Sequence, residues 1–497
     1  MISKITGPIQ NFLKNSKQYA TLVVVAAGLY PFFQYYNNNL AIAASWQQLL
    51  FIAGICIVLP LVLRFIWSVC YKMKLFKPMR PYGLSILNSV MFFGLIGFLV
   101  LSLNRKMLLL LLIIAFVLGF VIAKHLKKIV AIQMLLAVIS MIGLVPKLMF
   151  EMQQDNSTWA KLSPEELNTT FVKTPNIFVI QPDGYVNFSE INKEPYRYDN
   201  SVFEAWLGLE GFTNYSNFRS NYYSTYTSNA SMFTMQHHYY SNTDKATLKT
   251  HGANNAIIGE NNNVLNILKA NNYKSHLITD NSYFLIDREP MFFDYCNIKP
   301  SQTSFYKSGV LHDVDMLSDF KTVLDTLSKS KNFFFIEKTV PGHISHRKDI
   351  SEGKVIERTK YLDKLEIAND WLKSIVSQIN QFDEQALIII VADHGGYVGL
   401  DYTLESIERK QNNLEIKSAF SSMLSIKWPK DVDSEDLMYK SNVNLFRYIF
   451  YTLSKNEDLL INSVANSSFL PLKESGSANY YEYIDDNGRF VFNNLTD

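Results

Sequence analysis

The sequence predicts a membrane domain of five helices followed by an α/β domain, in which helices cover a mixed, mostly parallel sheet. The first observation is a change of composition near residue 151, where long apolar runs give way to polar, asparagine-rich sequence. The second is the alternation of strand-like and helix-like segments in the polar part, which is typical of a sheet covered by helices. The length of 497 residues is sufficient for both domains.

Five apolar runs are long enough to cross a bilayer, at about residues 19–36, 47–70, 84–103, 106–124 and 129–150. One cleaved signal peptide cannot account for five runs. Basic residues cluster before the first run and in the second and fourth loops, at Lys4, Lys14, Lys17, Lys72, Lys74, Lys77, Arg80, Lys124, Lys127 and Lys128. Because basic loops stay on the cytoplasmic side, five spans place the polar part of the chain outside the cytoplasm.

The expected organisation has four segments. They are a membrane domain at 1–151, a linker at 152–174, an α/β domain at 175–455, and a tail at 456–497 that packs on or near the α/β domain. The tail has few periodic segments, so we expect loops with a hairpin around residues 481–492. Only Cys296 lies in the polar part, so no internal disulfide can form there, and a hydrophobic core must stabilise it.

Apolar runs predict strands at 176–180, 273–279, 332–336, 386–392 and 422–427. Helical spacing is found at 264–270, 316–327 and 359–379, and a last helix opens at Ser441 or Asn442.

Two of these strands lead into an acidic residue at a glycine turn: Asp183 precedes Gly184, and Asp393 and His394 precede Gly395. Either motif alone is also compatible with ordinary turn chemistry. Together they predict one metal site at the carboxyl edge of the sheet, where open α/β sheets bind ligands. Carboxylate oxygen and imidazole nitrogen suit zinc or manganese better than calcium or magnesium.

Residues 219–234 are crowded with hydroxyl groups. Ser224 or Thr225 comes directly before a stretch, 228–240, that can form a helix. Free backbone N–H groups at a helix amino terminus favour phosphate and a developing oxyanion. A neighbouring metal ion would lower the pKa of such a hydroxyl and make it nucleophilic. The alternative is a Ser/Thr-rich cap followed by a surface turn.

The order of these features resembles the alkaline phosphatase superfamily in its sulfatase-like branch. In that branch the nucleophile is followed by Ser at +3, apolar residues at +7 and +8, and Thr at +9. Counting from Thr225 gives Ser228, Met232, Phe233 and Thr234. The run 333–343 matches the strand that leads to a substrate-binding histidine, here His343. The similarity covers about residues 175–451, and with five spans in front the architecture is similar to lipoteichoic-acid synthases and phosphoethanolamine transferases.

The chain departs from the family pattern at the nucleophile and at the metal ligands, and these departures limit which reactions the resemblance implies. Sulfatases need Cys or Ser at the nucleophile position and Arg at +4, whereas this chain has Thr225 and Asn229. Two-metal relatives place Asp four residues before the histidine, where this chain has Thr339. The resemblance therefore implies one divalent ion, zinc or manganese, held by Asp183, Thr225, Asp393 and His394. Phosphoethanolamine transferases are usually disulfide-rich outside the membrane, and this chain is not.

The resemblance also implies roles around the nucleophile. Thr225 attacks phosphorus, and His343 binds phosphate or protonates a leaving alkoxide. Arg219, Asn221, Ser228 and His346 are expected to contact the substrate, for example by clamping phosphate oxygens. The alternatives are a structural role for Arg219 and Asn221 and a surface position for His346.

The function expected from this resemblance is transfer of a phosphoethanolamine or phosphoglycerol head group from a phospholipid to a glycan or lipid acceptor, through a phospho-threonine intermediate. We expect a multi-pass protein of a bacterial inner (cytoplasmic) membrane with a periplasmic or extracellular catalytic domain, and no nucleic-acid partner. One alternative is a membrane-tethered phosphodiesterase or phosphatase. Another is a catalytically silent envelope scaffold, against which the intact set of Asp183, Thr225, Asp393 and His394 argues.

Overall fold

The computed structural model describes residues 19–40, 45–74, 76–153, 159–238, 253–286, 288–303, 305, 314–328, 331–434, 437–474 and 477–495. The chain divides into two compact units. The first comprises Met1–Gln154 and Ser304–Gly309, and the second comprises Asp155–Thr303 and Val310–Asp497.

The first unit is mostly helical, with turns at residues 71–74 and 80–82 and a short connection at 101–104. Its helices are α1 Ala20–Asn39, α2 Trp46–Ala53, α3 Leu59–Cys70, α4 Gly83–Leu95, α5 Arg105–Ile122 and α6 Leu126–Gln153. A π-helical turn, Gly54–Val58, joins α2 to α3, and a 3₁₀ turn, Ala123–His125, joins α5 to α6.

Three helical stretches of the described chain are long and apolar enough to cross a membrane: Trp46–Cys70, Gly83–Val100 and Arg105–Met149. The 45 residues of Arg105–Met149 would measure roughly 68 Å as one straight helix, against a hydrocarbon core of about 30 Å. The first predicted span corresponds to α1, which contains Pro31. Apolar helices in front of the α/β domain are therefore confirmed, while the number of five spans stays a prediction.

Buried amide groups cross-link the helices of the first unit. The side chain of Asn88 in α4 donates to the carbonyl of Val23 in α1 at 2.6 Å and to Gln133 Oε1 in α6 at 2.9 Å. Gln133 Nε2 returns a hydrogen bond to Asn88 Oδ1 at 3.0 Å. Reciprocal amide pairs of this kind hold apolar helices together, because neither group has water to bind instead.

The second unit is built on a seven-stranded sheet with the order β2-β7-β6-β1-β5-β3-β4. Its strands are β1 Ile177–Pro182, β2 Thr213–Asn214, β3 Lys274–Thr279, β4 Tyr295–Cys296, β5 Asn332–Lys338, β6 Leu387–Val391 and β7 Leu424–Lys427. Strands β6, β1, β5, β3 and β4 pair in parallel, and β7 runs antiparallel to β6. The predicted mixed, mostly parallel sheet is confirmed.

Helices cover both faces of this sheet. They are α7 Pro164–Leu167, α8 Phe188–Ile191, α9 Ser201–Leu209, α10 Thr225–Thr234, α11 Ala253–Ile258, α12 Asn263–Ala270, α13 Met316–Leu324, α14 Lys354–Phe382, α15 Glu405–Glu408, α16 Asn413–Phe420, α17 Asn442–Ser454 and α18 Asp458–Ile461. Successive residues of β1 alternate between two cores: Phe178 packs in one, with α9, α13 and α14, and Val179 in the other, with α10, α12 and α17. A strand buried on both faces is apolar at every position, as the sequence indicated.

The carboxyl-terminal region contains more strand than the sequence suggested. Strands β8 Ser468–Glu474, β9 Ser477–Ile484 and β10 Phe490–Asn494 form an antiparallel sheet. The hairpin expected around 481–492 corresponds to β9 and β10. Leu470 and Tyr481 of this sheet belong to the core that contains Phe178, so the tail shares a core with the seven-stranded sheet within the second unit.

Candidate active site

The two strand ends singled out by their acidic residues are neighbours. Strands β1 and β6 pair in parallel with Ile180 opposite Ile390, so Asp183 and Asp393 emerge at the same edge of the sheet. The backbone N–H of Gly184 donates to Asp393 Oδ1 at 3.1 Å, which ties the two motifs directly. The N–H of Gly342 donates to the carbonyl of Asp183 at 2.8 Å and so brings a third loop to this edge.

Gly184 is required at its position. It has a φ of +69°, and a Cβ there would lie 2.2 Å from the carbonyl oxygen of Gly342. Only glycine permits both this left-handed backbone and the approach of the loop after β5. The Asp-Gly pair is thus needed for packing at the site as well as for a turn.

The buried group of Asp183, Asp393 and His394 has potential ligand atoms that all lie within 4.8 Å of one another. His394 Nε2 is 3.3 Å from Asp393 Oδ2, 3.5 Å from Asp183 Oδ1 and 3.4 Å from Thr225 Oγ1. Four ligands in a tetrahedron around zinc, at bonds of about 2.0–2.2 Å, are about 3.3–3.6 Å apart. The spacing around His394 therefore fits a single tetrahedral transition-metal ion.

The hydrogen bonds of these side chains also favour a metal ion at this position. Asp183 Oδ1 and Asp393 Oδ2 are buried and have no hydrogen-bond partner in the part of the chain that the structure describes. His394 Nδ1 lies 2.8 Å from the carbonyl of Gly395, so it carries the proton in the neutral ring and Nε2 presents a lone pair to the two carboxylates. Metal-binding histidines are commonly oriented in this way. Two buried carboxylates and an imidazole lone pair that face one another are costly unless a cation lies between them.

Electrostatics at the cluster follow from this crowding. Burial and then the charge of Asp393 raise the pKa of Asp183 to about 7. Burial opposes the charging of His394, but Asp393 and Asp183 outweigh it and leave the pKa of His394 above its ordinary value. Each group thus holds a proton more tightly than it would in water, and a bound cation would compete with those protons.

Thr225 is the first residue of α10, and Ser224 is its amino-terminal cap. Ser224 Oγ accepts from the N–H of Thr227 at 3.5 Å. The prediction that the helix begins at 228 was therefore wrong by three residues, because Ser224 caps the helix earlier. Thr225 Oγ1 lies at the helix amino terminus and beside His394 Nε2, and both are favourable surroundings for a nucleophile that attacks phosphate.

Ser228 connects α10 to the end of β6. It is fully buried, and its Oγ donates to the carbonyl of Asp393 at 2.5 Å. Asn442, at the start of α17, donates to the same carbonyl and to Ser228 Oγ, both at 3.1 Å. Sequence reasoning treated Asn442 only as a possible helix cap, and no local pattern could have revealed this contact across about 50 residues.

His343 lies beside the cluster, with its ring centroid 6.0 Å from that of His394. Its Nδ1 is 2.6 Å from the carbonyl of Ile344, so Nε2 is the acceptor nitrogen of the neutral ring. Burial and then the neighbouring His394 lower the pKa of His343 to about 4. His343 is therefore neutral at pH 7, and its Nε2 can accept a hydrogen bond. Tyr397, which sequence reasoning missed, packs edge-on against both His343 and His394.

Arg219 and Asn221, which the sequence predicts as substrate contacts, bind backbone groups of the protein. Arg219 Nη2 donates to the carbonyls of Asn466 and Asp485 at 2.7 and 3.1 Å. Asn221 donates to the carbonyl of Ser467 at 2.9 Å and accepts from the N–H of Val443 at 2.8 Å.

His346 is exposed and close to His343, with ring centroids 6.1 Å apart. Its Nδ1 is 2.9 Å from Thr403 Oγ1. The structure thus gathers Asp183, Thr225, Asp393 and His394 with His343 beside them. Arg219 and Asn221 instead hold the carboxyl-terminal region.

Comparison with known proteins identifies the domain. Residues 177–418 match the Sulfatase family model. This part of the chain is therefore a domain that matches the Sulfatase family, and the resemblance to the sulfatase-like branch drawn from the sequence is confirmed. No curated protein matches the chain.

Several solved structures are similar at low identity. Lipooligosaccharide phosphoethanolamine transferase A from Neisseria meningitidis is 13% identical, with 89% of this chain and 97% of that chain covered and a TM-score of 0.43. The periplasmic domain of EcEptC from Escherichia coli in complex with Zn is 12% identical, with coverages of 63% and 93% and a TM-score of 0.41. The putative sulfatase yidJ from Bacteroides fragilis is 14% identical, with coverages of 62% and 84% and a TM-score of 0.42. At these identities the solved structures do not establish the function of this chain.

Proposed function

We propose that this protein is a membrane-bound, metal-dependent transferase. It would move a phospho-head group of the phosphoethanolamine or phosphoglycerol type from a phospholipid to an extracytoplasmic glycan or lipid. The observation that carries the proposal is the position of Thr225 Oγ1, at a helix amino terminus and 3.4 Å from the imidazole of the buried Asp183–Asp393–His394 cluster.

Asp183, Asp393, His394 and Thr225 would hold one zinc or manganese ion. When bound, such an ion lowers the pKa of a ligating hydroxyl and neutralises charge on phosphoryl oxygens. Thr225 Oγ then attacks phosphorus in line, and an O–P bond forms to Thr225 as the bond from phosphorus to the diacylglycerol oxygen breaks. His343 Nε2 carries the proton of the Thr225 hydroxyl to that oxygen, so diacylglycerol leaves as an alcohol. The N–H groups of the first turn of α10 stabilise the negative charge on the phosphoryl oxygens.

The second half of the reaction releases Thr225. An acceptor hydroxyl attacks the phospho-threonine, the O–P bond to Thr225 breaks, and the hydroxyl proton passes to His343 Nε2. The contact with Ile344 orients the neutral ring so that Nε2 can accept this proton and pass it to the Thr225 oxygen as its bond to phosphorus breaks.

The apolar helices favour transfer from a lipid. A donor whose acyl chains lie in the bilayer must be met at the membrane surface, and cleavage there leaves diacylglycerol in the membrane. The basic loops favour an inner-membrane, multi-pass protein whose catalytic unit lies outside the cytoplasm.

Diacylglycerol release tests the proposal. The purified chain in detergent is given phosphatidylethanolamine or phosphatidylglycerol, with and without an envelope glycan or lipid acceptor. We expect release that depends on Thr225 and rises severalfold with the acceptor, and Thr227→Ser serves as a matched control on the same helix. Equal rates without an acceptor, and a water-soluble product only, would establish a phosphodiesterase instead.

A further inference from the structure

A small cavity lies beside the candidate active site and shares His343 with it. Its volume is about 250 Å³, and the segment containing His343 and His346 forms one side of it. Helix α14 forms the other side, with Lys360 and Lys364 four residues apart on one face. Ligand pockets for whole drug-sized molecules measure about 300–1,000 Å³, so this cavity suits a smaller polar group. We call it the histidine–lysine pocket.

The acidic residue of the pocket is already engaged by the protein. Both oxygens of Glu357 accept hydrogen bonds, from the N–H and the hydroxyl of Ser345 at 2.7 and 2.9 Å and from the N–H of Glu352 at 3.0 Å. Lys360 pairs with the carboxylate of Glu352. Lys364 has no ion pair or hydrogen bond among the described residues, and its side chain is exposed. Lys364 therefore faces the pocket without an ion-pair partner among the described residues, although its charge also acts on Asp183.

The histidines add acceptors rather than donors. Nδ1 of His343 and Nδ1 of His346 are engaged by Ile344 and Thr403, and the described residues supply no partner for either Nε2. In the neutral rings these nitrogens accept hydrogen bonds. The pocket thus offers a cation on one side and hydroxyl-accepting nitrogens on the other.

The pocket is connected to the reacting groups. His343 stacks near His394, with ring centroids 6.0 Å apart. Tyr361, which also lines the pocket, donates to the carbonyl of Gly184 at 2.9 Å, next to Asp183. A group seated between His343 and Lys364 would therefore lie next to the metal-binding cluster, to which His394 belongs.

We propose that the histidine–lysine pocket binds the acceptor, and that the acceptor carries a hydroxyl next to an anionic group such as a phosphate. The hydroxyl donates to His343 Nε2, and the anion binds Lys364. This assignment rests on the transferase function proposed above and adds to it the chemical class of the acceptor and the lysine that selects it.

Ligand binding to the full-length chain in detergent tests the pocket without relying on turnover. The probe is glycerol 3-phosphate, followed by phosphorus NMR line broadening on protein stripped of metal with EDTA. We expect Lys364→Gln to weaken binding at least fivefold. Lys373→Gln is the matched control, because Lys373 lies on the same helix and pairs with Asp370. Methyl phosphate, which lacks a carbon-borne hydroxyl, should bind the wild type more weakly than glycerol 3-phosphate.

Kinetics distinguish acceptor from donor. Lys364→Gln should raise the KM for an anionic acceptor at least fivefold and leave the KM for the donor phospholipid unchanged. Equal binding of glycerol 3-phosphate by the Lys364→Gln and Lys373→Gln proteins would overturn the pocket, and an increase in the donor KM alone would overturn its assignment to the acceptor. If the wild type cleaves no phospholipid but Lys364→Gln still weakens binding, the pocket stands and the transferase function fails.

Discussion

Residues 219–225 lead into α10, and the polar groups at the beginning and at the end of this stretch have different partners. At the beginning, Arg219 and Asn221 donate to backbone carbonyls of the carboxyl-terminal region. Six residues after Arg219, Thr225 Oγ1 lies 3.4 Å from His394 Nε2, which faces carboxylate oxygens of Asp183 and Asp393 that have no hydrogen-bond partner among the described residues. Buried polar groups normally find partners, so groups engaged by the backbone maintain the architecture, and buried groups left unpaired mark the place for a ligand.

The strongest test of this contrast is Thr225→Ala. We expect turnover to fall by at least roughly 1,000-fold, because the bond-forming oxygen is removed. Thermal stability should stay close to wild type, since the Thr225 side chain is only partly buried, and metal affinity should fall less than on loss of Asp183, Asp393 or His394. Thr227→Ser should keep most activity. A Thr225→Ala protein with more than a tenth of wild-type turnover would contradict the assignment.

Removal of a predicted metal ligand should have the next largest effect. Asp393→Asn is expected to weaken metal binding by at least roughly 100-fold, because a ligand contributes more than the outer groups that only orient it. Elemental analysis after dialysis checks this, with near-stoichiometric zinc or manganese in the wild type. Asp363→Asn, which alters a carboxylate exposed on α14, should leave metal content unchanged. Full activity in metal-free wild type would refute the site.

At the other end of the segment the expected effect is on stability. Asn221→Ala leaves the carbonyl of Ser467 and the N–H of Val443 without partners, which should lower the free energy of unfolding by roughly 2–5 kcal/mol. The KM for the donor should not change. An increase in KM without a loss of thermal stability would instead support the substrate clamp predicted from the sequence.

A buried histidine in β3, His276, should have a smaller effect on stability, and this effect depends on pH. Burial lowers the pKa of His276 to about 4, and its ring stacks on Phe334. Below pH 6.5 the unfolded chain takes up a proton that the folded chain refuses, so stability is lost as the pH falls towards 4. Between pH 7 and 5 this amounts to about 2 kcal/mol. Calorimetry should show a shallower pH dependence of Tm for His276→Asn, and an unchanged dependence would contradict the prediction.

Much of the α/β core could be predicted from the sequence. Runs such as Ala386 to Val391 are apolar at every position because both faces of the sheet are covered, and this pattern is visible locally. Strands β2 and β4 have two residues each, too few for any periodicity. In β8, Pro471 argues against a strand, but β8 is at the edge of its sheet, where a missing N–H is tolerated.

The site was predictable to the extent that its residues lie at strand ends and helix starts. Asp183, Asp393 and His394 follow buried strands, so their convergence follows from parallel pairing. The roles of Arg219 and Asn442 depend on carbonyls that are distant in sequence, such as that of Asn466, 247 residues from Arg219. Such contacts exist only after the chain has folded, and no spacing rule encodes them.

Peptide mapping of the covalent intermediate shows whether Thr225 is the nucleophile of a phosphoryl transfer. The metal-loaded chain is mixed with donor phospholipid in the absence of an acceptor, quenched in acid, digested and analysed by mass spectrometry. We expect a phospho-head-group adduct on Thr225 that is lost in Thr225→Ala and disappears when the acceptor is added. An adduct on Ser224 or Thr227, or substrate turnover with no adduct at all, would contradict it.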